Sequence, residues 1–213
     1  MICLDLGAGK GGEQRREQIE AMGWEYHTLD IEPSFGCTIT ADVLDWWPEI
    51  QYDLIWGSPP CHTYSLAGIR AHRKVVNGIP VAVSDEAKLS DKVTQRFVEI
   101  CKMGRYYAIE NPRATLRKQP FMQELPRQTV TYCHYGDFRM KPTDIWTNVL
   151  ITLRPMCHNI EKDHPLDCCC RDHVQAKRGS RTGTQGMNAE DSAVVPFELW
   201  EELLKGIEHG NAV

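Results

Sequence analysis

The sequence lacks any apolar run that approaches the length of a membrane-spanning helix. It also lacks a charged and apolar leader with a small-residue cleavage site, and the first strand is predicted to begin at Met1-Ile2. Internal repeats and low-complexity segments are absent as well. These absences argue against membrane, secreted and repeat proteins, so we expect a cytoplasmic protein with no membrane partner. The sequence gives no indication of oligomeric state.

The composition is that of a globular chain, with 213 residues of which 42% are hydrophobic and 25% are charged. This length fits one domain, or one domain with a small appendage. The net charge of −5 is distributed unevenly. Residues 1–60 carry 3 basic and 11 acidic side chains, whereas residues 61–190 carry 20 and 13. The basic middle favours a polyanionic partner, and chance clustering of solvated charges is the alternative.

Apolar runs alternate with helical stretches in the first half of the chain, which predicts an α/β fold with a parallel sheet and crossover helices. Residues 62–84 have little pattern and are predicted to form a loop or lid. Residues 154–190 contain almost no aliphatic side chains, so we expect a metal or a partner to order them. The predicted strands cover residues 1–6, 26–29, 38–40, 52–56, 106–109, 130–133 and 144–148. The predicted helices cover residues 14–22, 85–104 and 191–208.

A glycine-rich turn, Gly7-Ala8-Gly9, follows the first strand. Its spacing is neither the dinucleotide fingerprint nor a P-loop. Two acids follow later strands: Asp30 is placed to bond ribose hydroxyls, and Asp42 is placed to accept from an adenine amino group. The set fits S-adenosylmethionine, and a tight turn with two capping acids is the alternative.

The tetrapeptide Ser58-Pro59-Pro60-Cys61 follows a predicted buried strand. Two prolines hold this cysteine rigidly, which is typical of a presented nucleophile. Such a thiol requires a lowered pKa. A second strand ends in Glu110-Asn111, where Glu110 is a candidate acid and Asn111 could orient it. An ordinary half-buried cysteine is the alternative for Cys61.

Nine cysteines are many for an intracellular chain, and five of them lie between residues 133 and 170. In a reducing compartment this density favours a metal over disulfides. We predict a structural zinc site formed by Cys133, Cys157, Cys170 and His173, with Cys168 as a substitute ligand. Surface thiols without a metal are the alternative.

The order of these motifs resembles that of the DNA (cytosine-5)-methyltransferase family, and in particular its compact zinc-bearing members from phages and prophages. In amino-methylating DNA enzymes an aromatic residue follows Pro-Pro, whereas here Cys61 does. The sequence departs from the family in its Glu-Asn-Pro and in the short segment before the last motif. The resemblance implies a Rossmann-like class I methyltransferase fold with a catalytic and cofactor-binding core at residues 1–125. A small recognition and zinc segment at 126–190, with late core strands at 130–150, and a closing helix at 191–213 would follow.

The resemblance also implies roles for individual residues. Cys61 would add to C6 of a cytosine flipped out of duplex DNA, Glu110 would bond N3 and the exocyclic amine, and Arg139 would bond O2. Expected alternatives are methylation of a pyrimidine carbon in RNA or a free nucleotide, and a non-catalytic zinc-bearing DNA-binding protein. The cofactor S-adenosylmethionine would be held by Asp5, Gly7, Gly9, Asp30, Ile31, Asp42, Val43 and Pro59.

Overall fold

A computed structural model describes residues 1–137, 139–157 and 193–210. Its main element is a seven-stranded sheet. The strands are β1 (Ile2–Leu6), β2 (Glu25–Asp30), β3 (Ile39–Thr40), β4 (Leu54–Gly57), β7 (Tyr106–Pro112), β8 (Arg127–Thr131) and β9 (Pro142–Thr147). They lie in the order β3-β2-β1-β4-β7-β9-β8. The neighbours from β3 to β7 pair in parallel, whereas β9 pairs antiparallel with both β7 and β8.

Helices cover both faces of this sheet. Helix α1 (Gly11–Ala21) and the closing helix α5 (Phe197–Glu208) share one apolar core, and helix α3 (Asp85–Cys101) contributes to the other. Side chains of β4 alternate between the two cores, as expected for a central parallel strand: Trp56 stacks on Trp200 at 4.2 Å between ring centroids, whereas Ile55 packs into the second core. The predicted α/β class is confirmed.

The segment after Cys61 is more structured than the sequence analysis predicted. A 3-10 turn (His62–Tyr64) leads into the short helix α2 (Ile69–His72) and a two-stranded hairpin, β5 (Arg73–Val76) and β6 (Ile79–Ala82). Asn77 and Gly78 form its turn with φ values of 50° and 82°. Asn-Gly tolerates positive φ at both central positions, which favours a tight hairpin. The prediction of an irregular loop here was wrong.

Other boundaries differ by a few residues. Glu110 and Asn111 lie within β7, and Cys133 lies in a 3-10 turn (Tyr132–Tyr135) just after β8. Helix α5 begins at Phe197, after an extended Pro196, so Val195 packs from outside the helix. The short helix α4 (Pro120–Gln123) was not predicted. In the part of the chain that the structure describes, no helix has the length and apolarity needed to cross a membrane.

Candidate active site

The ends of four parallel strands place the predicted motifs in one row. Leu6 pairs in register with Leu29 and Gly57, and Gly57 pairs with Ile109. The residues that follow these positions are Gly7, Asp30, Ser58 and Glu110. Ligands bind at this edge of open α/β sheets. Two cavities of about 290 and 300 Å³ lie here and share Gly7, Ser58 and Pro60 in their walls.

The glycine turn is shaped by its contacts with neighbouring loops. Gly7 has φ +74°, and a Cβ there would lie 2.9 Å from the Ser58 carbonyl oxygen and 3.0 Å from the Phe97 ring. The turn therefore approaches the Pro-Pro-Cys segment as closely as only glycine permits. Gly9 has φ +54° and lines the first cavity, and its N–H donates to Asp30 Oδ2 at 3.0 Å.

The second cavity is lined mostly by apolar side chains and by two carboxylates, Asp30 and Asp42. Its walls include Asp30, Ile31, Asp42 and Val43, four of the residues that the resemblance assigned to the cofactor. Asp42 Oδ1 accepts from the Leu44 N–H at 2.9 Å, while its Oδ2 accepts no hydrogen bond within the described residues. A carboxylate has about four acceptor sites, so both acids retain capacity for a ligand. The facing wall comes from helix α3 through Leu89, Val93 and Phe97.

Asp5 lines neither cavity. It is fully buried, and its Oδ2 accepts from Arg15 at 2.5 Å and from the Tyr26 hydroxyl at 2.6 Å. Arg15 itself lines the first cavity beneath the glycine turn. Asp5 therefore supports the site through Arg15, and sequence reasoning missed Arg15 because it lies inside an unremarkable helix.

Cys61 is exposed in the first cavity, at the end of the two prolines. The Asn111 side-chain amide donates to the Pro59 carbonyl oxygen at 3.0 Å from within β7. Asn111 thus fixes the Pro-Pro-Cys segment. The sequence analysis had instead predicted that Asn111 orients Glu110. Pro59 lines the first cavity, beside the thiol, and does not line the second.

Glu110 shares the first cavity with Cys61 and Lys141. The Tyr132 hydroxyl donates to Glu110 Oε1 at 2.7 Å. Burial raises the pKa of Glu110, while Lys141 and the Tyr132 hydrogen bond lower it. A raised pKa favours the protonated form, in which a carboxyl can donate as well as accept a hydrogen bond.

The electrostatics of the thiol differ from expectation. Cys61 is exposed as a residue, but the surrounding walls of the cavity partly desolvate its Sγ atom and raise the pKa of the thiol. The charge of Glu110 raises this pKa further, whereas Lys141 lowers it. The expected lowering of the thiol pKa is therefore wrong for the protein alone. Lys141 is the basic side chain that counteracts the shift.

Arg139 lies behind the cavity instead of in its wall. It is buried, pairs with both carboxylate oxygens of Asp137, donates to the Val194 carbonyl oxygen at 2.9 Å, and lies over the Tyr132 ring. Lys141, two residues further on, lines the cavity. Residues 139–141 lie outside the strands, so the regular alternation of strand side chains does not apply to them and spacing alone could not choose between the two.

Two of the four predicted zinc ligands, Cys133 and Cys157, lie within the described residues. Cys133 and Cys157 are buried, and with His134 they form a group whose ligand atoms all lie within 4.8 Å of one another. Cys133 and Cys157 are 24 residues apart in the sequence, so the fold brings these two of the four predicted ligands together. His134 was not among the predicted ligands. Cys170 and His173, as well as the substitute Cys168, lie outside the described residues.

The mostly parallel seven-stranded sheet, with one antiparallel strand and helices on both faces, is a Rossmann-like α/β fold, the architecture that the resemblance implied. A curated relative, "Probable DNA (cytosine-5)-methyltransferase" of Frog virus 3 (isolate Goorha), is 27% identical over 221 residues, covering 96% of this chain and 99% of the relative. This match supports the resemblance to the DNA (cytosine-5)-methyltransferase family that was stated from the motifs. No protein-family model matches the chain.

Solved structures give more distant matches. The hMettl16 catalytic domain in complex with the MAT2A 3′UTR hairpin 1 is 16% identical with a TM-score of 0.42, over 68% of this chain and 63% of that domain. The DhpI–SAM–HEP complex is 13% identical with a TM-score of 0.30, over 68% of this chain and 61% of DhpI. This chain therefore spans less than two thirds of either protein's length.

Proposed function

We propose that the protein transfers a methyl group from S-adenosylmethionine to C5 of cytosine in duplex DNA. The observation that carries this proposal is the shared wall of the two cavities. Cys61, Glu110 and Lys141 lie in one cavity, Asp30 and Asp42 line the other, and Gly7, Ser58 and Pro60 belong to both.

The residues of the second cavity fit the cofactor. Apolar side chains of α3 and Val43 offer surfaces for an adenine ring, and Asp30 and Asp42 offer acceptors for ribose hydroxyls and an amino group. Gly9 leaves open space where a Cβ would stand, so a ligand can approach the backbone. When bound, S-adenosylmethionine supplies an electrophilic methyl group.

Cys61 would supply the nucleophile. Cytosine C5 is a weak nucleophile, and addition of the Cys61 thiolate to C6 makes it enamine-like. The Sγ–C6 bond would form, C5 would take the methyl group with S-adenosylhomocysteine as the leaving group, the C5 proton would then pass to solvent, and the Sγ–C6 bond would break. The prolines and the Asn111 hydrogen bond hold Cys61 for this addition.

Glu110 would hold the base. Its carboxyl can bond N3 and the exocyclic amine, where charge develops as Cys61 adds. Tyr132 fixes one oxygen of that carboxyl, which leaves the other for the substrate. Lys141 would contact O2 of the base, the role that the sequence analysis gave to Arg139. Arg139 would instead hold the wall of the first cavity in place through its contacts with Asp137 and Val194.

Duplex DNA is the proposed partner on two grounds. The relative from Frog virus 3 carries a DNA methyltransferase name, and residues 61–190 carry 20 basic against 13 acidic side chains. We propose that residues 126–190 add target recognition to the core and that the target sequence is short.

We also propose a structural zinc ion at Cys133, His134 and Cys157, with a further ligand from Cys168, Cys170 or His173. Two thiolates and an imidazole within 4.8 Å of one another are a donor set typical of zinc. The ion would join the turn after β8 to the segment that follows Val149. Bound zinc would be detected by elemental mass spectrometry.

The covalent step can be tested with a duplex in which 5-fluorocytosine replaces cytosine. Fluorine at C5 cannot leave as the proton does, so the Sγ–C6 adduct would persist on a denaturing gel when S-adenosylmethionine is present. We expect the adduct with the wild type and with Cys37→Ser, a matched half-exposed cysteine, and none with Cys61→Ser. Adduct formed equally well with RNA would favour the RNA alternative, and no adduct at all would contradict the proposal.

A further inference from the structure

A group of two histidines and one glutamate lies directly beside the Pro-Pro-Cys segment. His62 Nδ1 is 2.9 Å from Glu86 Oε1, and His72 Nδ1 is 3.7 Å from Glu86 Oε2. The two imidazole rings are 5.0 Å apart between centroids. One ligand atom from each residue lies within 4.8 Å of the other two.

From this geometry we propose that His62, His72 and Glu86 bind a divalent transition-metal ion such as Zn²⁺. Two neutral imidazoles and a carboxylate are a common ligand set for such ions, and they leave coordination positions for water or substrate. The site is separate from the thiolate group at Cys133, which belongs to a different part of the fold. It does not depend on the proposed methyl transfer.

The surroundings of the group favour a site over a chance ion pair. Ser84 Oγ lies 2.9 Å from His72 Nδ1 and restrains that ring, as outer-shell partners restrain metal-bound histidines. Ser84 also caps helix α3 by accepting from the Ala87 N–H, so the residue that orients His72 is itself fixed. By comparison, His27 pairs with Glu25 at 3.1 Å without a second histidine.

The three ligands come from three different elements. His62 follows Cys61 in the 3-10 turn, His72 ends helix α2 at the base of the β5–β6 hairpin, and Glu86 lies in the first turn of α3. A bound ion would tie the hairpin and α3 to the turn that carries the thiol. Because the ion binds the folded protein, it would also raise thermal stability.

The test is calorimetric titration of the full chain with ZnCl₂, after the thiolate group has been loaded with one equivalent. We expect one further equivalent in the wild type and in His27→Gln. We expect at least about a 10-fold loss of affinity for that equivalent in His62→Gln, His72→Gln and Glu86→Gln. His62 and Glu86 side chains are more than half exposed, so these two variants are expected to fold.

Cobalt provides an independent signature. Co²⁺ at the second equivalent should give weak d–d absorption without the intense near-ultraviolet thiolate band expected of the Cys133 group. The proposal is overturned if the second equivalent is absent from the wild type, or if it persists with unchanged affinity in all three variants. Methyl transfer is measured separately, so its failure would not count against this site.

Discussion

The Asn111 side-chain amide donates to the Pro59 carbonyl oxygen at 3.0 Å, and thereby links two sequence motifs separated by 52 residues. The glutamate that precedes Asn111 and the cysteine that follows Pro60 face one cavity. One hydrogen bond therefore sets the position of the proposed nucleophile relative to the proposed acid.

Asn111→Ala should lower kcat by about 10- to 100-fold with little change in cofactor affinity, because a small displacement of a reacting group is costly. The loss of a buried hydrogen bond should also lower the free energy of unfolding by about 1–3 kcal/mol. Asn148→Ala is the matched control: Asn148 bonds the backbone of the same strand region at Tyr107, away from the cavity. It should lose stability while kcat stays near the wild-type value. Equal kcat losses in both variants would contradict a positioning role for Asn111.

The reactivity of Cys61 with iodoacetamide should depend on its two charged neighbours. Lys141 lowers the pKa of Cys61, so Lys141→Gln should move the alkylation-rate curve to higher pH. Glu110 raises that pKa, so Glu110→Gln should move the curve to lower pH. Peptide-resolved mass spectrometry would follow Cys61 alone, and exposed Lys88→Gln serves as the control. Shifts of the same sign in both variants would be incompatible with the described electrostatics.

The hairpin is anchored beside the thiol by Arg73. Its fully buried side chain donates to the Thr63 carbonyl oxygen at 2.9 Å, pairs with Asp91 at 2.8 Å, and stacks over the Tyr64 ring at 3.9 Å. Lysine cannot reproduce this set of contacts, because they require a planar fork. Arg73→Lys should therefore lower kcat several-fold and the unfolding free energy by about 1–3 kcal/mol.

Arg70→Lys offers the comparison for Arg73, since Arg70 is exposed in the preceding short helix. Thermal melts and steady-state kinetics of the two variants would separate an anchoring role from a general effect of charge. If Arg73→Lys behaved like Arg70→Lys, the buried contacts of Arg73 would not matter for the site.

Metal removal should destabilise the region around Cys133. Chelation of the wild type should lower the melting temperature by several degrees, since an ion bound only in the folded state contributes to stability. Cys157→Ser should contain less zinc after purification, whereas Cys37→Ser should retain the wild-type content. Wild-type protein that contains no zinc and is indifferent to chelation would rule out the Cys133 site.

Much of the sheet edge that bears the two cavities could be predicted, because it is marked by local sequence patterns. A glycine turn directly after a strand and acids at later strand ends need only the rule that parallel strands end at one edge. Asp30, Asp42 and the Pro-Pro-Cys segment were placed there from the sequence. The β5–β6 hairpin also had a local signal, Asn77-Gly78, which the sequence analysis did not use.

The remaining parts depend on contacts that no local pattern reveals. Tyr132 reaches Glu110 across the sheet, and Arg15 reaches the cavity from the middle of α1. Which of Arg139 and Lys141 lines the cavity depends on the pairing of Arg139 with Asp137, which no local pattern predicts. His62, His72 and Glu86 meet only after the hairpin folds back on α3.

The most direct test of the central claim is nucleoside mass spectrometry of unmodified duplex DNA after incubation with the protein and S-adenosylmethionine. The account predicts 5-methylcytosine with the wild type and a loss of at least about 1,000-fold with Cys61→Ala, since the nucleophile is removed. Cofactor binding should persist in that variant, because Cys61 does not line the second cavity. N4-methylcytosine as the product, or 5-methylcytosine formed equally well by Cys61→Ala, would contradict the account.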